Sequence, residues 1–318
     1  MVISGERLVD GRLKIRHLVL VTTILDAGGV AAAANHLRVT QPVVTRGLKE
    51  IEDVLGTQLF GRGPRGVTPT PAGLAFVQHA RSVLAEIRAS ADHLNWLEEG
   101  SAGVVRVGTH TAGANLLLPQ AIALLKRGRP RLLVSVHEAT PDRLTNLLIA
   151  GEVDLTVGRL PAQPASGTRS IRLHPEPIVI AVRAGHPLAG KRVPIGDLLA
   201  SPWIFPGATT GLRRELDESF SKLGLGLPAD LIESSSIATT RGLLLESDLV
   251  AAVPALHVYP DDALSTIDVD VPGIRRVVGA SLREGRSTPP AVTLMIDSLK
   301  AAAGQIVARY PQVGLLDE

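Results

Sequence analysis

The stretch TQPVVTRGLKE, residues 40–50, decides the fold of the amino-terminal part of this 318-residue chain. It suits a helix start, because the Thr40 hydroxyl can cap a helix and Pro42 falls in the first turn, where no N–H is needed. On a helical wheel with about 100° per residue, the apolar side chains fall within a sector of about 60°. These residues are Val44, Leu48, Ile51 and Leu55. The remaining strip is polar and basic, and it consists of Gln41, Pro42, Thr45, Arg46 and Lys49. The pattern predicts a helix with one buried face and one face free for a partner.

Two shorter helices are expected before this one. Residues 14–26 carry an apolar pattern that stops at AGG, and residues 30–37 form a short Ala-rich helix. The side chains expected to face the core from the first helix are Ile15, Leu18, Val19, Val21, Thr22 and Leu25. Helix, short turn and helix with one buried seam is the helix-turn-helix pattern, whose second helix lies in the major groove of DNA. A helical bundle with a solvated outer face fits the same pattern equally well.

The next stretch, QLFGRGPRGVTPTPAG at 58–73, predicts a two-stranded wing around a Gly/Pro turn. Arg62 and Arg65 lie in that turn, where they are placed to touch phosphate or a minor groove. A surface hairpin with solvated arginines is the simpler alternative. Thr70 and Pro71 then supply a cap and a first-turn proline for a helix that runs to about Leu97.

Apolar residues repeat every seven positions along this long helix. They are Val77, Leu84 and Ala91 in one series and Ala80, Ile87 and Leu94 in the other. These are the a and d positions of a coiled coil, so the helix is expected to pair with its copy in a second chain. Packing of the helix on its own domain is the alternative. EEGSAG at 98–103 breaks the pattern and is the expected linker.

Beyond the linker, short apolar stretches alternate with helical ones. Strands are expected at 104–108, 132–139, 154–158, 177–182, 203–206 and 249–254, and helices near 114–127, 141–151, 210–223 and 236–246. Such alternation predicts parallel sheets flanked by helices. Ligands of such sheets bind outside the carboxyl ends of the strands, where helix amino termini converge.

Composition argues against several classes of protein. With no cysteine there are no disulfides and no thiol nucleophile, and the charged amino terminus does not predict a signal peptide. The chain has no uninterrupted run of about 18 apolar residues, so we predict no membrane span and expect a cytoplasmic protein without membrane contact. The formal net charge is only +2, but residues 12–70 hold eight Lys/Arg against four Asp/Glu. That local excess points weakly to an anionic partner.

An α/β enzyme and a transport-type solute-binding protein are the rival interpretations. The nine histidines show no HExxH or other metal-ligand spacing, and GxSxG, Walker A and a strand-following GxGxxG do not occur. We therefore expect no catalytic residues, no metal and no cofactor. A transport-type binding protein would need an export signal and would have no use for the amino-terminal helices. A DNA-binding regulator, which the helix-turn-helix pattern allows, meets neither difficulty.

Residues 14–73, taken together, resemble the LysR-type transcriptional regulators. The matching stretch is AAAANHLRVTQPVVTRGLKEIEDVLGTQLFGRGPRGVTPTPAG, residues 31–73, and GEVDLTVGR and EPIVIAVRAGHPL resemble the effector domain of that family. Only residues 1–13 lie outside the resemblance. Departures are small: Thr40 and Thr45 stand where the family often has serine, Pro69 stands where leucine is usual, and Gly61 precedes Arg62 in the wing.

The resemblance implies an α/β multidomain protein with three parts. They are a winged helix-turn-helix over 1–70, a linker and dimerisation helix over 71–98, and a two-lobed α/β effector domain like a periplasmic binding protein over 99–318. The first lobe would take about 103–174 and 277–304, and the second about 175–276. Family members usually assemble as tetramers on promoter DNA, where a small molecule between the lobes changes the DNA bend and the contact with RNA polymerase.

The same resemblance assigns the contacts with double-stranded DNA. Base edges would be read by Gln41, Pro42, Thr45 and Arg46. A Gln amide pairs with adenine and an Arg guanidinium with guanine, while the proline ring and the threonine methyl suit a thymine methyl. Phosphates, which position the protein without specifying sequence, would be held by Lys49, Arg62 and Arg65.

Helix starts in the second half of the chain predict a site for a small anionic effector, such as a carboxylate. Free N–H groups and hydroxyls at helix amino termini suit such a group. The residues at these starts or at the carboxyl ends of strands are Thr109, His110, Thr111, Thr140, Arg159, Gly207, Ala208, Thr209 and Ser235. Ordinary helix caps are the alternative interpretation, because strand-to-helix joints need them in any case.

Overall fold

The computed structural model describes residues 6–63, 66–99, 103–110, 113, 115–269, 274, 276–285 and 288–314, with backbone alone at 6, 7, 62, 92, 93 and 95–99. The amino-terminal part contains α1 (Glu6–Val9), α2 (Ile15–Asp26), α3 (Val30–Leu37), α4 (Gln41–Leu55), the antiparallel strands β1 (Phe60–Gly63) and β2 (Gly66–Pro69), and the long helix α5 (Pro71–Glu99). This is a winged helix-turn-helix followed by a linker helix, as the sequence predicts.

One hydrophobic core holds the winged domain together. The apolar positions predicted for α4 are all buried, with Ile51 fully so. The prediction for α2 is wrong in part: Ile15 and Val19 are 57% and 36% exposed, whereas Leu20 and Ile24 are buried. Because α2 is apolar on nearly every side, its periodicity cannot select the face that meets α3, α4 and α5. Packing selects it.

The two predicted threonine caps differ in outcome. α4 begins where expected, but the Thr40 hydroxyl makes no capping bond; the turn before it contains Arg38 in the left-handed conformation, with φ of 55°. Thr70 does act as a cap, because its hydroxyl accepts from the Gly73 amide at 3.0 Å and donates to the Gln58 carbonyl at 2.8 Å. The start of α5 is thereby tied to the wing.

The linker helix α5 runs for 29 residues, and its first half belongs to the amino-terminal core. Val77 and Ala80 are each 1% exposed in that core, so the coiled-coil prediction is wrong at these two positions. Side chains buried within their own chain cannot meet a second one. Farther along the helix Ile87 and Leu94 are 42% and 62% exposed, and Ala91 is exposed as well.

Two five-stranded sheets with their helices make up the rest of the chain. The first contains β3 (Val104–Thr109), α6 (Leu117–Gly128), β4 (Leu133–Glu138), α7 (Pro141–Ala150), β5 (Leu155–Arg159), β6 (Thr168–Pro175), β12 (Val277–Arg283) and α10 (Pro290–Arg309). The second contains β7 (Ile178–Arg183), β8 (Trp203–Pro206), α8 (Gly211–Lys222), β9 (Leu231–Ser234), α9 (Ile237–Glu246), β10 (Val250–Pro254) and β11 (Leu264–Ile267). Each sheet has its own hydrophobic core, so this half consists of two lobes.

Both sheets are mixed, which corrects the expectation of parallel sheets. The strand orders are β4-β3-β5-β12-β6 and β11-β7-β10-β8-β9. β12 runs antiparallel to β5 and β6, and β7 runs antiparallel to β10 and β11. The antiparallel strands flank the places where the chain crosses between the lobes, since only Glu176 and Pro177 separate β6 from β7. Four strands, β6, β9, β11 and β12, escaped prediction because they are short or rich in polar residues.

The carboxyl-terminal helix α10 is a core helix. By length and composition it is the one helix of the described chain that could cross a bilayer. Its apolar side chains Met295, Leu299 and Ile306 are at most 1% exposed, because they pack in the core of the first lobe.

The linker helix also contacts the first lobe. Arg81 of α5 forms ion pairs with Asp26 of α2 and, at 3.9 Å, with Glu152 just after α7. Gly151 ends α7 with φ of +71°, and a Cβ at this position would overlap the Cβ of Ala85. The winged domain and the effector half are therefore packed on the same segment of α5.

Candidate DNA-binding face and effector cleft

The polar strip predicted on α4 faces solvent. Its members are all exposed, and they are Gln41, Pro42, Thr45, Arg46 and Lys49. The Thr45 hydroxyl donates to the Gln41 carbonyl at 3.1 Å, which engages its hydrogen within the helix and leaves the methyl group for a partner. A helix held by one face with its polar amino-terminal turns exposed has the geometry required for the major groove.

Sequence reasoning missed Val43 on the same surface. Its side chain is 51% exposed in the first turns of α4, and an exposed aliphatic group there suits a thymine methyl. The sequence did carry a signal for it, because on the helical wheel Val43 is apolar but falls outside the sector of the buried residues Val44, Leu48, Ile51 and Leu55. In the wing, Arg62 lies on β1 opposite Val67, and Arg65 lies outside the described residues.

A side chain of α4 fixes the helix relative to the wing. Glu52 Oε1 accepts from the backbone amides of Leu59 at 2.8 Å and Phe60 at 3.2 Å, just where β1 begins. At the other side of the helix a Cβ on Gly47 would lie 2.9 Å from Leu20 Cδ1, so glycine permits the close approach of α4 to α2. The exposed strip is consequently carried on a well-supported helix.

In the first lobe the predicted effector residues lie at the carboxyl ends of β3, β4 and β5. Thr109 is 2% exposed, and its hydroxyl donates to the Val157 carbonyl at 3.1 Å inside the sheet. Thr140 stands at the amino terminus of α7, exposed and without a side-chain cap bond. Thr111 lies outside the described residues.

In the second lobe the predicted residues lie at two helix starts. A Cβ on Gly207 would lie 3.6 Å from Ser235 Cβ, so the structure brings these two positions together. Ala208, Thr209 and Ser235 are exposed. The capping hydroxyl of α8 belongs to Thr210, which accepts from the amide three residues on at 3.2 Å.

One arginine of the first lobe contacts the second lobe. Arg159 ends β5 in the first lobe, and its guanidinium forms an ion pair with Glu215 of α8 in the second lobe. A Cβ on Gly211, the first residue of α8, would lie 2.6 Å from Arg159 Nη1. Glu215 also pairs with Arg276 at 3.4 Å, and Arg276 bonds Glu176 at 2.6 Å. Sequence reasoning found Arg159 but missed the other three charges, because no local pattern connects residues that far apart.

Burial controls the ionisation of this cluster. It lowers the pKa of Arg159 to about 10, and the neighbouring Arg276 guanidinium adds to that effect. It lowers the pKa of His110, again with help from Arg276. It raises the pKa of Glu176, against the opposing influence of Arg276. Charges interact strongly in such a desolvated place, so an anion entering the cleft would be sensed by several groups at once.

A separate cavity of about 500 Å³ lies between the lobes beside α9. Asn115 and Leu116 line it from the first lobe, and His257 and Arg241 from the second. The Asn115 amide donates to the Leu256 carbonyl at 2.9 Å across the junction. The lining includes none of the predicted effector residues. Within the described part of the chain, no group of three or more His, Asp or Glu could hold a metal ion.

A winged helix-turn-helix joined by a long helix to a two-lobed α/β domain defines a DNA-binding regulator with a ligand-binding domain. Residues 15–74 match the family model for the bacterial regulatory helix-turn-helix protein, lysR family, and residues 98–304 match that for the LysR substrate binding domain. The chain therefore belongs to the LysR family of transcriptional regulators, which are DNA-binding proteins and not enzymes.

Relatives and solved structures agree with this assignment. The transcriptional regulator GalR of Pseudomonas putida is 32% identical, over 88% of this chain and 72% of that protein. The regulator GbpR of Rhizobium radiobacter is 33% identical, over 74% of this chain and 80% of that protein. A full-length OxyR variant from Pseudomonas aeruginosa superposes with a TM-score of 0.67 at 24% identity, over 91% of this chain and 95% of that one. CbnR in complex with its target DNA superposes with a TM-score of 0.63 at 22% identity, over 91% of this chain and 100% of that one. At these identities the structural likeness shows the fold.

Proposed function

We propose that this regulator reads its operator through α4 and responds to a small anion bound between its two lobes. The observation that carries the first part is the division of α4 into a buried apolar face and an exposed polar strip. The bases would be contacted by Gln41, Pro42, Thr45 and Arg46. The phosphates would be held by Lys49, Arg62 and Arg65.

The effector part rests on the meeting of Arg159 with the amino terminus of α8. A guanidinium and a helix amino terminus each favour an anion, and here one from each lobe converges. The proposed surroundings of the effector are Thr109, His110, Thr111, Thr140, Arg159, Gly207, Ala208, Thr209 and Ser235. Thr109 would form the floor, because its hydroxyl is bonded inside the sheet. A change in lobe closure would alter the DNA bend and the contact with RNA polymerase.

Self-association is proposed through the exposed part of α5. Ile87, Ala91 and Leu94 form an apolar stripe beyond the segment used by the winged core, and a second copy of the helix would cover it. Two such dimers would make a tetramer on promoter DNA, in the cytoplasm at the nucleoid. The proposed division is a DNA-binding domain over 1–70, a linker over 71–98, and lobes over 103–174 with 277–304 and over 175–276.

Operator binding tests the DNA face. Arg46→Ala should cost about 1–3 kcal/mol and relax selectivity at one base pair, because a bidentate guanine contact is lost. Lys49→Ala should weaken binding to all sequences alike and reduce the salt slope by about 1, because a phosphate contact is lost. Fluorescence anisotropy against a genomic operator and its single-base variants measures both. An Arg46→Ala protein with unchanged affinity and selectivity would refute the assignment.

Calorimetry tests the effector site. Small carboxylates should bind to the full-length protein and lose at least tenfold in affinity in Arg159→Ala. Thr209→Val should weaken them less, because it removes one hydroxyl and no charge. Binding of a cation or a neutral sugar in place of every carboxylate would contradict an anionic effector, and it would leave the DNA-binding proposal intact.

A further inference from the structure

The guanidinium of Arg159, which lies in the first lobe, is paired with a carboxylate of the second lobe. Glu215 of α8 pairs with Arg159, and the two side chains are 23% and 29% exposed. Solvent therefore reaches both partners. Because solvent reaches the pair, an anion from solution can reach Arg159 and compete with Glu215 for it.

The pair beside it is of a different kind. Arg276 and Glu176 are 7% and 3% exposed and bond at 2.6 Å, and the Glu176 amide donates to the Arg276 carbonyl at 2.9 Å. They lie in the two segments that join the lobes. Removal of one member would strand a buried charge, so this pair is permanent structure. Arg276 Nη1 is also 3.4 Å from Glu215, which gives Glu215 a second cation.

The surroundings of Arg159 call for a negative charge. Its guanidinium lies against Gly211 at the amino terminus of α8, which is the positive end of the helix dipole. Arg276 lowers its pKa further. A cation held in such a place needs an anion beside it. Glu215, which lies one turn farther along the same helix, supplies that anion.

We propose that Glu215 is an internal stand-in for the anionic group of the effector. It holds the lobes together through Arg159 when no ligand is bound, and the effector displaces it by placing its own anionic group between Arg159 and the first turn of α8. This inference rests on the proposed function, because it takes the effector to be an anion bound in this cleft. It assigns to Glu215 the role of setting the effector affinity.

Competition between two anions gives the first test. Glu215→Gln keeps the shape of the side chain and removes its charge, and Glu218→Gln is the matched control, since Glu218 is exposed on the same helix. Acetate, succinate and benzoate serve as probes in calorimetry with the full-length protein. At least one probe should bind Glu215→Gln ten times more tightly than the original protein, or tighter still. Glu218→Gln should not differ from the original, and helical circular dichroism checks that both variants fold.

Lobe separation gives the second test and needs no ligand. The chain has no cysteine, so Asn146→Cys on α7 and Lys222→Cys on α8, both at exposed positions, provide a unique pair of spin-label sites. The distance distribution between the labels should broaden or lengthen when Glu215→Gln is added. It should stay unchanged with Glu218→Gln.

The outcomes distinguish the role of Glu215 from the existence of an anion site in the cleft. Equal probe affinities in the original protein and Glu215→Gln would overturn the stand-in role while leaving an anion site in place. An unchanged label distance in Glu215→Gln would overturn the holding role. A changed distance with no probe bound to any variant would overturn the exchange, and in that case the anionic effector of the proposed function fails with it.

Discussion

Removal of the Glu52 carboxylate should loosen the wing from the recognition helix. Glu52 Oε1 accepts from the amides of Leu59 and Phe60 at 2.8 and 3.2 Å. A hydrogen bond to a charged group contributes about 1.5–3 kcal/mol, and the half-buried position of Glu52 favours the lower end. The two bonds share one oxygen, so Glu52→Ala should lower the free energy of local opening by between one and two times that lower value, which is about 1.5–3 kcal/mol. That corresponds to roughly 10- to 150-fold faster amide exchange, at about 1.4 kcal/mol per factor of ten.

Hydrogen exchange read by mass spectrometry on peptides covering 58–61 of the full-length protein measures this effect. Glu52→Gln keeps an acceptor oxygen but loses the charge, so it should show about half the loss in free energy. Asp53→Ala is the matched control, because Asp53 is an exposed carboxylate at the next position of the helix. If Glu52→Ala leaves exchange in these peptides unchanged, or if Asp53→Ala raises it equally, the bridge does not hold the wing. Operator affinity should fall in Glu52→Ala alone, since the wing then no longer has a fixed position.

Three further predictions concern packing and ionisation. Ile51→Ala should destabilise the winged domain by about 2–5 kcal/mol, because the side chain is fully buried. Val43→Ala, at an exposed site, should change the free energy of unfolding by less than about 0.5 kcal/mol. Denaturant melts followed by circular dichroism measure both. Gly151→Ala should separate α5 from the first lobe, since its Cβ would overlap Ala85 at a φ of +71°; unchanged exchange along α5 would contradict this. Burial lowers the pKa of His257 from 6.5 to about 4, so its contribution to stability is complete above pH 6.5 and is lost as the pH falls toward 4. Urea melts across that range should show a smaller pH slope in His257→Leu, and an equal slope would exclude this residue as the cause.

The recognition helix could be predicted because its information is local. Val44, Leu48 and Ile51 recur at helical spacing, so the position of the buried face also determines that Gln41 and Arg46 are exposed. The pairing of β1 with β2 and the Thr70 cap also depend on residues that are close in the sequence. These features depend on residues within one or two turns of each other, and the structure agrees with them.

Predictions failed where the partner of a residue is not its neighbour in sequence. Ile15 and Val19 looked no different from Leu20 and Ile24, because α2 is apolar on nearly every side and its packing on α3, α4 and α5 selects the buried face. Val77 fitted a heptad, but α2 had already covered it. Strand β12 was not predicted from its own pattern because Gly, Ser and Arg interrupt its apolar residues, and its pairing with the distant strands β5 and β6 leaves no local signal.

The sequence by itself determined that this chain carries a helix with an exposed, basic, amide-bearing strip, and it determined the family to which that helix belongs. The tertiary structure alone decided that Arg159 meets Glu215 across the cleft and that Arg276 and Glu176 form a buried pair beside them. The physical reason is the range of the forces involved. Helical periodicity is set by hydrogen bonds four residues apart, whereas an ion pair between lobes exists only after two separate cores have packed and brought their edges together.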